Sequence, residues 1–327
     1  LLNLNTVVSA NVAIGNDAMI NITGGGNVAI GKSAMGTTAG GSIAENNTVI
    51  GSFAGLRLAT GINNVFIGRE AGNGINISNS NVAIGRRAIS NGNDVSECVA
   101  IGHLAMESHL GNQSVAIGAN ALRNNGTGER NTAIGYSSMG NTTVSGDDNV
   151  AVGHNTMISL TTGTRNIAIG NLALNSAETS LNNVAIGYNA LNSMTAQSNC
   201  VAIGHNALLN NQGPSNIGIG QSCFGSLIAG SNNVALGESA GNTLVSGNNN
   251  VILGDNADVD NSARTGCVII GPSAVSPAVD NTFAVRLGGG NTLQTQLNVA
   301  GVAPAGTTSY LDVTINSTLY RILVQQP

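Results

Sequence analysis

The tetrapeptide Val-Ala-Ile-Gly, or a close variant, occurs sixteen times, with its glycine first at Gly15 and last at Gly271. Ten of the fifteen intervals between successive glycines are 17 residues. Self-similarity at a short fixed period marks a repeat architecture in which each copy is one unit stacked on its neighbours. Seventeen residues are too few for a strand–helix unit, and no stretch shows helical periodicity.

Reading the repeat by column assigns a role to each slot. The residue before Gly is Ile in thirteen copies and Val152, Leu236 or Leu253 in the others, and the residue between the two β-branched positions is Ala in eleven. Ala also stands three residues after Gly in thirteen copies, and Asn stands four before it in twelve. Val-Ala-Ile predicts a short strand with Val and Ile on one face and Ala on the other. We expect Val and Ile to fill a thin interior and the Ala column to face outward. The invariant glycine fits a corner that needs positive φ or close backbone approach. A second short strand is expected after it, typified by Tyr188-Asn189-Ala190-Leu191, and the Gly/Asn/Ser/Thr-rich remainder reads as turn.

Two strands and two turns make one coil of an all-β solenoid. Sixteen coils at a paired-strand spacing of about 4.8 Å would extend about 75 Å. Aligned Asn residues are expected to form a ladder that satisfies turn backbone groups. An outward Ala column would be an apolar strip longer than monomers usually expose, so lengthwise self-association is expected. The departures from Ala in that column, Val49, Phe66, Gly218, Ile252 and Ile269, are all nonpolar, as an interface requires.

Composition removes other classes. Only 8% of residues are charged, Trp is absent, and Gly (45) with Asn (48) exceeds a quarter of the chain. Hydrophobic content of 42% is too high for a solvated disordered chain, and Gly falls short of the one in three of collagen. No apolar run approaches 18 residues, so no membrane insertion is expected. A net charge of −5, with one lysine and ten scattered arginines, argues against nucleic-acid binding. Leu1-Leu2-Asn3-Leu4-Asn5 lacks a basic n-region, so no signal peptide is expected.

Asn-Val-Ala-Ile-Gly followed by x-x-Ala-Leu resembles the head repeats of trimeric autotransporter adhesins, and still more the related repeats of tail-fibre proteins from phages and large DNA viruses. The resemblance covers residues 11–271. It implies a left-handed parallel β-roll, three chains about a threefold axis, and a role in attachment. The adhesin head repeat is usually shorter, and, unless the chain is a fragment, no coiled-coil stalk, membrane-anchor barrel or export signal is expected. Those features favour a virion fibre over a bacterial surface adhesin.

Residues 1–271 thus read as a repeat domain and 272–327 as a C-terminal β cap that also starts trimerisation. The latter segment holds four of the five prolines and Phe283, Tyr310 and Tyr320. Residues 308–315 and 318–324 read as strands around Asn316-Ser317, a hairpin signal. A solenoid needs its open last coil covered against end-to-end pairing.

Candidate chemistry reads as structural throughout. Gly26-Asn27-Val28-Ala29-Ile30-Gly31-Lys32-Ser33 fits the phosphate-loop pattern, but its intervening residues are the repeat strand itself and no helix signal follows. Cys98, Cys200 and Cys267 occupy the Asn slot and Cys223 an Ala slot. Cys98 and Cys200 lie six coils, roughly 29 Å, apart, well beyond disulfide reach. His103, His154 and His205 share the slot after Gly at intervals of 51, about 14 Å apart, and cannot share one metal within a chain. That slot is expected to face solvent, and His109 with Glu107 to lie in a solvated loop. Asp255, Asp258 and Asp260 lack the Gly and distal Glu of a calcium loop and read as a polar turn. Asn-x-Ser/Thr sequons, as at Asn21 and Asn76, arise by chance in an Asn-rich chain.

The sequence therefore predicts no catalytic, cofactor-binding or metal-binding residues, and no enzyme. It predicts a homotrimeric virion fibre on the particle surface that binds itself, other virion structural proteins and a host-surface glycan or protein receptor. A bacterial adhesin head at the cell surface and a glycan-degrading tailspike are the alternatives. Binding is expected on the variable turns, including the insert Gly36–Ser42, since exposed loops on rigid scaffolds carry function.

Overall fold

A computed structural model describes residues 10–37, 42–91, 94–276, 279–287, 291–296, 309–315 and 318–324. The chain is all-β, with no helix among these residues. It divides into two compact units, Leu1–Ser180 and Leu181–Pro327. The first holds ten three-residue strands, β1 (Val12–Ile14) to β10 (Ile167–Ile169). Each pairs in parallel with the next, matching slot for slot, as in Val82↔Val99, Ala83↔Ala100 and Ile84↔Ile101. The second holds seven parallel strands, β11 (Val184–Ile186) to β17 (Thr282–Leu287). Both units are parallel β-solenoid, seventeen strands in all.

Among the described residues no second strand follows the repeat glycine, contrary to expectation. The segment after each glycine is an arch in which the residues two and four beyond Gly adopt left-handed φ, such as Leu104 (60°), Met106 (52°) and Leu122 (47°). Left-handed backbone costs about 1–2 kcal/mol per non-glycine residue, and stacking supplies the compensation. The Leu104 amide donates back one coil to the Arg86 carbonyl at 3.0 Å, and the Met106 amide donates forward to Ala121 at 3.0 Å. The repeat glycine itself has no substitute: Gly85 sits at φ 131°, and a Cβ there would lie 2.5 Å from the Gly102 carbonyl oxygen.

The facing of the strand is opposite to expectation. The central Ala column points inward, fully buried from Ala29 to Ala235, whereas the flanking Val and Ile columns lie outside and are half-exposed to exposed. The physical reason is interior volume. The core already receives the Ala three residues after Gly, the large side chain four after it (Met106, Leu122, Leu174) and the one seven after it (Leu58, Leu160, Leu227), all buried. A methyl group is what fits in the remaining space.

The departures from Ala are accordingly packing adjustments. Phe66 is buried in the Ala column, and the Leu/Met slot facing it is Gly72, where a Cβ would come within 2.5 Å of the ring. Phe224 occupies the Leu/Met slot, and a Cβ at the next such slot, Gly241, would lie 2.4 Å from its ring and 3.2 Å from Ile252.

The Asn column forms the expected ladder within each unit. Asn64 donates its side-chain N–H to the Asn47 Oδ1 (3.0 Å) and to the Ser78 carbonyl (2.8 Å), while its own Oδ1 accepts the Asn81 backbone amide (3.0 Å). In the second unit Asn233 repeats the pattern with Asn216, Gly247 and Asn250.

Beyond Gly271 the parallel series continues by one strand. Phe283, Ala284 and Val285 pair with Val268, Ile269 and Ile270, so Phe283-Ala284-Val285 occupies the repeat slots, and the 271/272 boundary falls inside the solenoid. Strand β17 then turns into an antiparallel series with β18 (Asn291–Gln296), β19 (Ser309–Ile315) and β20 (Thr318–Val324). The hairpin formed by β19 and β20 is the one the sequence indicates; its Asn316-Ser317 turn lies outside the described residues.

Candidate functional surface

Among the described residues the outward Val and Ile columns expose β-branched and aliphatic side chains coil after coil. Along the first unit they run from Val12 and Ile14 (56% exposed) to Ile167 and Ile169, with Thr48 and Thr132 standing in the Val column. Ten coils at about 4.8 Å, with the two columns about 7 Å apart, give a strip on the order of 300 Å² in plan, before the relief of the side chains is counted. A contiguous apolar patch of that size matches the largest patch a monomer typically exposes, about 300–600 Å², which is often an interaction site. In the second unit the same columns run from Val184 and Ile186 to Val268 and Ile270, with Leu236 exposed.

Beside this face runs the slot that follows the repeat glycine, exposed at His103, His154 and His205 as the sequence suggests. Neighbouring coils stack their rings there. The Tyr136 and His154 ring centroids lie 5.5 Å apart and those of Tyr188 and His205 5.3 Å apart, each pair stacked with nearly parallel planes. Arg86 and His103 are 3.1 Å apart. Lys32, the lysine of the phosphate-loop pattern, places its Nζ 5.6 Å over the Phe53 ring, and the residues before Gly31 are strand β2 (Val28–Ile30).

His109 and Glu107 are buried, contrary to the expected solvated loop. Glu107 sits between Arg87 (2.8 Å) and Arg123 (2.7 Å), and Arg87 reaches on to Glu70. His109 lies 3.5 Å from the Cys98 sulfur, and Asn125 donates to its Nδ1 at 2.6 Å. This places the ring proton on Nε2, facing Cys98. Cys, His and Asn in sequence of contact are the residue types of a nucleophilic thiol relay. Here all three are fully buried. Burial pushes the Cys98 thiol up to about 11 and His109 down to about 4, so both are neutral at pH 7.

The cluster repairs the Asn ladder. Cys98 occupies an Asn slot and donates its thiol to Gly111, the carbonyl an Asn would reach. Ser114, the next occupant, is too short to span to Gly128, and Asn125 makes that bond instead at 2.7 Å. At Cys200 the thiol reaches Gly213 at 3.4 Å, and Asn211 adds a second donor to the same carbonyl at 2.7 Å. Each of these three departures from Asn is matched by a polar residue seven after the following glycine, where Leu58, Ile75 and Leu160 stand in ladder-complete coils. All four cysteines are buried and free.

The acidic group does not converge. Asp255 bonds Asn256, Asp260 holds Arg264 in an ion pair at 2.5 Å, and Asp258 accepts from Thr243 through backbone and hydroxyl. The Arg264 contact holds Asp260 below the usual carboxylate range, while burial raises Asp258.

A cleft of about 560 Å³ opens on the first unit beside the insert Gly36–Ser42, of which residues 38–41 lie outside the described residues. Its lining includes Asp17, Asn21 and Arg57, none of which the repeat analysis singles out. The available signal was the slot five after glycine, where Gly36 falls between the larger Ile20 and Leu56. No protein-family model, curated protein or solved structure matches the chain.

Proposed function

We propose that this chain is a structural attachment protein of a virion, a homotrimeric fibre element that presents its coil edges to a host-surface receptor. The observation that carries the reading is the uncovered Val/Ile face. Solenoid stacking leaves two largely aliphatic columns partly in water along each unit, and self-association along that face removes them from solvent. The trimer number comes from the resemblance to tail-fibre and adhesin-head repeats. The buried Cys98 and His109 fit a passive scaffold, since both serve the core ladder. A glycan-degrading tailspike needs two carboxylates across a scissile bond, and Asp17 is the one carboxylate among the lining residues of the cleft.

Immuno-gold electron microscopy with antibodies to the purified chain tests the assignment. Labelling of fibres on virus particles is the expected result. Labelling of a bacterial envelope would replace the virion reading with that of a surface adhesin.

A further inference from the structure

Resting on the attachment reading, we infer that the cleft beside the insert is a binding site for a carboxylate-bearing sugar, such as the uronic- or sialic-acid terminus of a surface glycan. The cleft carries an unmet charge. Arg57 is exposed at the cleft and has no hydrogen bond, ion pair or ring contact among the described residues. Five other arginines, by contrast, sit in ion pairs: Arg69 with Glu70, Arg87 and Arg123 with Glu107, Arg130 with Asp148, and Arg264 with Asp260. A guanidinium presents a planar fork that matches a carboxylate in bidentate fashion.

The other walls suit the rest of a sugar ring. Asp17 accepts one bond, from the Asn16 side chain at 2.5 Å, so its second oxygen is open to a hydroxyl donor. Asn21 donates to the Thr37 carbonyl at 2.8 Å, leaving its own amide oxygen as an acceptor. The Ser33 hydroxyl is likewise uncommitted, and Ile20 and Leu56 offer half-buried apolar surface for the C–H face of a pyranose.

The space exists because of Gly36. A Cβ built there would stand 3.3 Å from Ile20 and 3.5 Å from Leu56, between the two apolar walls. Its backbone is not in the left-handed region, so the conformation itself does not demand glycine. A volume of about 560 Å³ falls within the roughly 300–1,000 Å³ typical of small-molecule sites. One sugar with part of a neighbour fits.

The test is ligand-observed NMR titration of the purified full chain with methyl β-D-glucuronoside, against methyl β-D-glucoside as the neutral isostere. The glucuronoside is expected to bind at millimolar or better affinity, and the glucoside at least about tenfold more weakly, the scale of a charge-assisted hydrogen bond. Arg57→Gln, an exposed change, should erase that preference. Gly36→Leu, which places in this slot the residue found at Leu56, should block both sugars. Equal binding of the two sugars, retention of the preference in Arg57→Gln, or no binding up to about 10 mM would overturn the inference. Because the titration uses isolated protein, those results leave particle labelling and oligomeric state untouched, so the site and the attachment reading fail separately.

Discussion

Replacing Asn64 with Ala removes one rung of the ladder, and the structure fixes what that costs. Asn64 is fully buried, and its Nδ2 supplies the hydrogen bond to the Ser78 carbonyl at 2.8 Å. Its Oδ1 supplies the acceptor for the Asn81 backbone amide at 3.0 Å. Alanine leaves both backbone groups orphaned beside the core, at about 1–3 kcal/mol each, for a total of about 2–6 kcal/mol. Stability in a solenoid is a sum over coils and their interfaces, so the loss should be local. Hydrogen exchange at the Asn81 amide and its coil neighbours should accelerate accordingly, while distant coils keep their protection. Asn64→Cys provides the internal control, because the chain itself uses Cys in this slot. The Cys200 thiol still donates to Gly213 at 3.4 Å, so a cysteine restores the carbonyl's partner but not the amide's acceptor. It should cost about half as much, about 1–3 kcal/mol. Protection at Asn81 in Asn64→Ala within about 0.5 kcal/mol of wild type would refute the ladder as a source of stability.

Two further outcomes follow from the interior. Gly72→Ala combines a left-handed backbone penalty of about 1–2 kcal/mol with overpacking against Phe66 of about 1–3 kcal/mol. In a Phe66→Ala background only the backbone penalty should remain, so urea denaturation of the cycle should give a coupling of about 1–3 kcal/mol, and strict additivity would sink the packing account. His109 is held down from its ordinary 6.5 to about 4 by burial. The unfolded chain therefore takes up a proton that the folded chain refuses, so this contribution is complete above about pH 6.5 and is lost as pH falls toward about 4. His109→Leu should flatten stability over that window, and an unchanged slope would show that another group titrates there. Cys98, pushed from 9.0 up to about 11, works the other way: its contribution is present below about pH 9 and is lost as pH rises toward 11. The folded chain should accordingly resist a thiol-reactive disulfide at pH 8.

Period, strand position, corner glycine and Asn ladder were legible in the sequence because each is a one-dimensional pattern with a local cause. The facing of the strand was not. Val-Ala-Ile alternates whichever side is buried, and hydrophobicity pointed to Val and Ile as the inner pair. The deciding quantity is the interior volume left by Met106, Leu122 and their equivalents, which belong to an arch the sequence presents as a strand. Leu and Met at left-handed φ have no propensity signature. Correlated columns held the missing information: Phe66 with Gly72, and Cys98, Ser114 and Cys200 with His109, Asn125 and Asn211. The cleft was invisible for a similar reason. It arises from a missing side chain at Gly36 and an arginine without a partner, and both are properties of neighbouring coils taken together.

The central claim is that copies of this chain meet through the outward Val/Ile face, and sedimentation equilibrium addresses it directly. Wild type should sediment at three times the 32.6 kDa chain mass. Ile117→Glu with Ile169→Glu, placed on the exposed columns, should give a folded species of single-chain mass. Ala116→Glu, one residue away but fully buried, should instead disrupt the fold, with loss of the β-sheet circular dichroism signal. A wild type at 32.6 kDa, or a doubly substituted chain that keeps the wild-type mass, would contradict the account.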